Sequence, residues 1–267
     1  MVEPAARIRP VEVADRKLVL FAVGKAEMEP IAVANRKLYA NPLVLALWVG
    51  LSCVFVQYMK WWPQPEQGVL GYLTPIPAFG TLSIVFMFAI DWLNRWGFDE
   101  RSAHVLRRPD LVDIPAYYSR SPSSGFWVLE YGDRFVGMIA IDASLDADAD
   151  EQVAAGTIKK DRSGQVKMAK GTSKVVTIRH FYVQEAYRAA GIQDDLLEHA
   201  LNHAFAADAT LQGVRATESS LRQYVGETLR KHGFELEKKA ERVGTLRWQQ
   251  SVRILDRSRW DSLQEKQ

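Results

Sequence analysis

Apolar and polar positions follow three patterns along this chain. The first is an unbroken apolar block, Pro42-Leu-Val-Leu-Ala-Leu-Trp-Val-Gly-Leu-Ser-Cys-Val-Phe-Val-Gln-Tyr-Met59, with no Asp, Glu, Lys, Arg or His. Its length matches the shorter bilayer-spanning helices. A polar, proline-rich break follows, Lys60-Trp-Trp-Pro-Gln-Pro-Glu-Gln67, and a second uncharged block runs from Val69 to Ile90. Pro75 and Pro77 place the start of regular helix near Ala78. Asp91, Trp92, Arg95 and Trp96 close the block with the aromatic and charged edge of a membrane interface. A buried hairpin in a soluble core is the competing reading, but soluble core helices rarely stay uncharged on every face for this long.

The other two patterns are the helical and strand periods. Ala6–Pro10 reads as a short strand, and Asp15 is expected to cap a helix with Leu18, Phe21, Ala22 and Met28 at helical spacing. Pro109–Tyr118 reads as a short helix. Phe126–Tyr131 and Arg134–Ile141 flank the turn pair Gly132-Asp133, a β-hairpin signature. Val175–Val183 has the strongest β-branched and aromatic content in the chain. After it comes a helix with Leu197, Leu201, Ala204 and Phe205 on one face. Leu211–Thr217 reads as a strand, Ser219 or Ser220 as the cap of a helix reaching His232, and Gly233 as its stop. In the last strand Leu246, Trp248, Gln250, Val252 and Ile254 are expected to share a face. Residues 143–174, acidic and then basic, read as a polar excursion with its tip at Arg162-Ser-Gly164. These elements predict a mixed sheet flanked by helices, divided as 1–41, a two-helix hairpin over 42–93, and 94–267.

Composition changes this picture little. Of 267 residues, 34 are Lys or Arg and 32 Asp or Glu, so the formal net charge is +2 and gives no electrostatic reason for nucleic-acid binding. The single cysteine, Cys53, excludes an intrachain disulfide and a multi-cysteine metal cluster. Its place in an apolar block points to packing. Arg36 and Lys37 precede the first block, and Arg95, Arg101, Arg107 and Arg108 follow the second. With only Lys60 between, the positive-inside rule puts both termini in the cytosol.

Candidate chemistry concentrates where Val175–Val183 runs into Gln184-Glu-Ala-Tyr-Arg-Ala-Ala-Gly-Ile-Gln193. A tight turn at a helix N-terminus offers unpaired backbone N–H groups and a positive dipole end, which suit a phosphate or pyrophosphate. Gly191 lets the backbone come close. Here the chain resembles the GCN5-related N-acetyltransferases, whose acetyl-CoA motif reads Arg or Gln, two residues, Gly, one residue, then Gly or Ala. Ile8-Arg-Pro with Asp15-Arg16, the 126–139 hairpin and Lys231-His-Gly-Phe234 are similar to other parts of that fold. The apolar hairpin after the first helix resembles the membrane-bound N-acetyltransferases of the endoplasmic reticulum. That resemblance implies acetyl-CoA as donor, a primary amine as acceptor, pyrophosphate held by Arg188, Ala189, Ala190, Gly191, Ile192 and Gln193, and pantetheine along Phe181, Tyr182 and Val183. It also implies an integral membrane protein of the endoplasmic reticulum. Two departures stand out: Gln193 occupies the position of the motif's last Gly or Ala, and Leu229 that of the family's frequent acid Tyr.

For the catalytic proton, His180 is the base expected from the key strand, against the alternative of a packed strand histidine. Tyr224 is the candidate acid, against aromatic packing. His199 and His203 lie four apart on a helix, a metal-compatible spacing, but without the H-E-x-x-H arrangement a polar face is the better reading and no metal is expected. The alternative function is a catalytically silent relative that binds or packages a membrane partner, such as a phosphate permease.

Overall fold

The computed structural model describes residues 6–145, 147, 171–243 and 246–265. The expected excursion and its tip at Arg162-Ser163-Gly164 fall outside them. The chain divides into two compact units: Met1–Glu27, Arg101–Val243 and Arg247–Gln267 form the first, and Met28–Glu100 with Gly244–Leu246 the second.

Among the described residues, a seven-stranded sheet organises the first unit. Its strands are β1 (Ala6–Pro10), β2 (Gly125–Tyr131), β3 (Arg134–Ser144), β4 (Thr172–Val183), β5 (Gly213–Ser219), β6 (Glu235–Val243) and β7 (Trp248–Asp256). They lie in the order β1-β2-β3-β4-β5-β7-β6, and all neighbours are antiparallel except β4 and β5. The parallel pairing covers only Val175↔Gly213 to Ile178↔Ala216, although β4 continues to Val183 and β5 to Ser219. Beyond Ile178 the two strands have parted.

Helices cover both faces, so the central strands read as continuous apolar runs rather than alternating ones. Residue alternation in β2 shows the division: Phe126 and Val128 join one core and Trp127 and Leu129 the other. The first core receives Val19, Ala22, Val23 and Ala26 from α1 (Arg16–Met28), with Tyr117 and Tyr118 from α5 (Ile114–Tyr118). The second receives Leu196, Leu197, Ala200, Leu201, Ala204 and Phe205 from the helix Ile192–Ala207. Gly137 of β3 makes this approach possible, because a Cβ there would lie 2.8 Å from the Tyr182 carbonyl and 3.0 Å from Leu196.

The second unit contains α2 (Pro30–Tyr39), α3 (Pro42–Met59) and α4 (Ile76–Leu106) as far as Glu100. Asn41 caps α3, its Oδ1 accepting from the Leu43 N–H at 2.9 Å, with Pro42 in the first turn. Lys60 ends it in the left-handed conformation (φ 56°). Trp48 donates to the Phe79 carbonyl at 3.4 Å and packs edge-on to that ring, while Thr74 donates to the Trp61 carbonyl at 2.8 Å. Asn35 donates to Asp91 and accepts from Asn94. The apolar stretches within Pro42–Met59 and Gly68–Leu106 are long enough to cross a membrane, and only 11% of each is buried.

Several elements differ from expectation. Asp15 closes a 3-10 turn rather than capping α1, accepting from the Glu12 N–H and from Arg9. The helix buries the stripe 19, 22, 23, 26, which leaves Phe21 exposed and Leu18 largely so. α4 starts at Ile76 and passes through the charged edge at Asp91–Trp96 without a break, since i,i+4 pairing of Arg95 with Asp91 suits a helix. Residues 109–118 split into a 3-10 turn and α5, capped by Asp113. Ser219 ends β5 and its Oγ accepts from the Leu221 N–H, so neither it nor Ser220 caps the next helix, whose N-cap is Arg222. β7 begins at Trp248, so Leu246 lies outside it; its pairing with β5 runs from Gln250 to Asp256 without a shift, so Gln250, Val252 and Ile254 share a face as expected, with Val252 and Leu255 the buried positions. The α2, β6 and α9 (Arg257–Gln264) elements carried no clear signal. β6 is an edge strand that reads Glu-Leu-Glu-Lys-Lys-Ala-Glu-Arg-Val, charged as edges often are.

Candidate functional site

The parting of β4 from β5 leaves residues 180–183 paired, among the described residues, on one side only, to β3. Phe181 and Val183 turn into one core and Tyr182 into the other, so all three offer backbone rather than side chain along this edge. The chain then makes one short turn of helix, α6 (Glu185–Arg188), and reaches α7 (Ile192–Ala207) through Gly191. Gly191 holds φ 77° as the N-cap, a conformation that suits glycine. The helix N-terminus follows directly on the open end of the strand; its Asp194 N–H turns back to the Gly191 carbonyl at 2.8 Å, and the positive end of the helix dipole lies at this turn.

Beside this turn lies a cleft of about 420 Å³, between α7 and α8 (Gln223–Lys231). Arg188, Ala189, Gln193, Tyr224 and Lys231 line it. Arg188 turns inward: its Nε donates to the Val183 carbonyl at 2.8 Å, and its guanidinium lies 3.8 Å from the Tyr224 ring centre. Gln193 folds back onto the turn, Nε2 donating to the Arg188 carbonyl at 3.1 Å, which leaves its buried Oε1 without a partner among the described residues. Ala190 is exposed outside the lining, and Ile192 packs on the core. Lys231 pairs with Asp194 at 2.6 Å across the mouth. Leu229 is fully buried, so the position expected to hold an acid Tyr is part of the core.

At the other end of the opened edge is a smaller cavity of about 20 Å³, lined by Val23 and Glu27 of α1, Met138, Arg179, His180 and Arg222. Glu27 accepts from Arg222 at 2.7 Å and from Arg101 at 3.0 Å. Burial raises its pKa, but the charges of the two arginines outweigh that and hold it down at about 2. His180 does not stand alone. Its Nε2 is 2.7 Å from Asp110 Oδ2, which also accepts from the Tyr118 hydroxyl at 2.9 Å. Next to it, Arg179 donates to Asp142 at 2.9 Å, and Tyr117 donates to the same carboxylate oxygen at 3.0 Å. Burial opposes the ionised Asp110 carboxylate, yet His180 and Arg179 keep its pKa well below the usual range.

Of the residues expected from sequence, the structure brings Arg188, Ala189, Gln193 and Tyr224 to one cleft and His180 to the other cavity. His199 and His203 instead flank the Trp127 ring, with His203 near the Pro122 and Ser124 carbonyls. Glu27, Asp110, Asp142, Arg179 and Arg222 were missed. The available signal was an acid or base inside an otherwise apolar strand, as at Asp142 and Arg179, because a charge buried there needs a partner.

The chain belongs to the acetyltransferase (GNAT) family, whose sequence model matches residues 86–234, more than half of its length. One curated relative, named probable N-acetyltransferase camello from Xenopus tropicalis, is 24% identical over 123 residues, 46% of this chain and 55% of the relative. The chain therefore spans about half the length of that relative. Among solved structures, a GNAT-family acetyltransferase from Streptococcus pneumoniae has a TM-score of 0.46 at 12% identity, covering 94% of this chain and 99% of that one. The Arabidopsis thaliana NAA60 complex with acetyl-CoA has a TM-score of 0.36 at 15% identity, covering 49% of this chain and 76% of its own. Nothing in the family match or these relatives points to the packaging role.

Proposed function

We propose that this protein is a membrane-anchored N-acetyltransferase that moves an acetyl group from acetyl-CoA to a primary amine. The observation that carries the reading is the opened β4 edge running into a glycine turn beside a 420 Å³ cleft. The extended amide arm of the donor pairs along the β4 edge at 181–183 that β5 has left, displacing Arg188 from the Val183 carbonyl. Its pyrophosphate meets the first amides of α7, and Arg188 and Lys231 supply the cations within reach of the cleft. The thioester then lies toward His180, where the 20 Å³ cavity takes the amine nitrogen. Backbone N–H groups of the unpaired edge meet the developing oxyanion. His180 is the base, and Tyr224, stacked under Arg188 in the cleft, is placed to protonate the departing thiolate.

The two apolar helices, with few buried side chains, support anchoring in a bilayer, with both termini on the cytosolic side by the distribution of Arg and Lys. The endoplasmic reticulum is the membrane implied by resemblance to the membrane-bound enzymes. Acceptors held at such a surface are amphiphilic amines or amines of membrane proteins.

Titration calorimetry of the detergent-solubilised full chain with acetyl-CoA tests the reading. A dissociation constant in the roughly micromolar range, weakened about tenfold by Arg188→Ala through loss of a charge-assisted contact, is the expected outcome. No heat at saturating acetyl-CoA overturns it.

A further inference from the structure

We propose that Asp110 is the positioning residue of an Asp110–His180 pair, in which His180 Nδ1 is the atom that takes the proton of the acceptor amine. This rests on the acetyltransferase reading and names a proton route within it.

The pairing depends on an irregularity in the sheet. Adjacent strand residues point to opposite faces, yet Arg179 and His180 both reach Asp110, at 3.4 and 2.7 Å. The register between β3 and β4 shifts here: Ala140 faces His180 and Ile141 faces Ile178, which leaves Arg179 as the extra residue of a bulge. The bulge sits just past the last parallel pair, where β4 has left β5.

Asp110 Oδ2 is held from three sides, by His180, Tyr118 and Arg179. An ionised carboxylate only accepts hydrogen bonds, so Nε2 carries the hydrogen at this contact, and in the base form of the ring the lone pair is on Nδ1. Asp110 lies on a 3-10 turn (Pro109–Leu111) next to the sheet, so the tautomer is imposed from outside the strand. A pair serving only to hold α5 against β4 would not require space beside the ring. Here His180 borders a cavity of about 20 Å³, room for one water-sized group, with Glu27 and Arg222 on its far walls. The charged and titratable groups around the ring are thus Asp110, Tyr118, Arg179, Asp142 and Tyr117 on one side and Glu27 with Arg222 across the cavity.

In the step itself the amine nitrogen forms a bond to the thioester carbonyl carbon. The nitrogen proton passes to His180 Nδ1 while Nε2–H stays on Asp110. As the C–S bond breaks, the electron pair leaves with sulfur, which Tyr224 protonates. The phenolate is then reprotonated by solvent, and His180 returns its proton to solvent. Amine and acetyl-CoA give amide and free thiol, with no oxidant or further reactant.

Long-range proton–nitrogen spectra of the full chain in detergent read the pair without needing a known acceptor, each of its five histidines being assigned by a single-histidine substitution. Native His180 is expected to show Nε2–H with a bare Nδ1 that bonds to no protein group. Asp110→Asn should shift the ratio of the two tautomers by roughly tenfold or more, through loss of the charge that imposes it. Tyr118→Phe, which keeps the charge, should shift it less than about threefold. The reverse tautomer in the native chain, or an Nδ1 hydrogen-bonded within the protein as a purely structural histidine would have it, overturns the proposal; the native spectrum decides this even where Asp110→Asn does not fold. Absence of acetyl-CoA binding in calorimetry removes the acetyltransferase reading whatever the tautomer, so the two failures are distinct.

Discussion

At the scale of single residues, charge pairing decides what the site tolerates. Glu27 is an example with a direct pH consequence. Its carboxylate ionises near pH 2 in the folded chain against 4.5 for the free side chain, so it contributes stability above about pH 4.5 that is lost as pH falls toward 2. The contribution is about 3 kcal/mol from the difference in pKa. Glu27→Gln should flatten the acid limb of stability between those values, as read by denaturant unfolding at stepped pH. Gln193 gives a second residue-scale prediction. Its amide lines the cleft and is tied to the Arg188 carbonyl. Gln193→Ala should tighten acetyl-CoA binding about threefold by clearing the mouth without removing a cation; weaker binding would show that the amide itself contacts the donor. Residue identity in the glycine turn was legible from sequence because Gly191 and Arg188 carry local chemistry. Asp110 and Glu27 were not, because their partners Arg179, His180 and Arg222 lie far along the chain and meet them only in the folded sheet.

Among elements, the approach of α7 to β3 and β4 sets the cleft. Gly137→Ala would put a Cβ against the Tyr182 carbonyl, a contact backbone can relieve only by moving the strand. A loss of roughly 1–3 kcal/mol is expected, seen as a lower thermal midpoint in circular dichroism and as weaker acetyl-CoA binding. Strands β1 to β5 and α7 were visible in the sequence as apolar runs with matching periods. The same logic failed for β6, whose charged residues satisfy an edge rather than a core, and for α9, anchored by Trp260 stacked on Phe205. It also misplaced the buried face of α1. Both Leu18–Ala22 and Val19–Ala26 show helical spacing, and only the neighbouring α5 aromatics and Met138 select the second.

For the whole molecule, the proposed anchoring by the two apolar helices predicts a chain that fractionates with membranes, with both termini on the cytosolic side. An epitope beside Trp62 should survive protease added to intact microsomes and be cleaved after detergent; cleavage in intact vesicles would reverse the topology. Arg188 adds a consequence at this scale. Its guanidinium rests on the Val183 carbonyl and the Tyr224 ring, the ground that the amide arm of a donor has to cover. A donor bearing a diphosphate can draw that cation outward and clear its own path. Acetyl-pantetheine, identical at the reacting end but lacking the anion, has nothing to draw it with, so selection among thioesters would be made at the tail farthest from the bond that breaks.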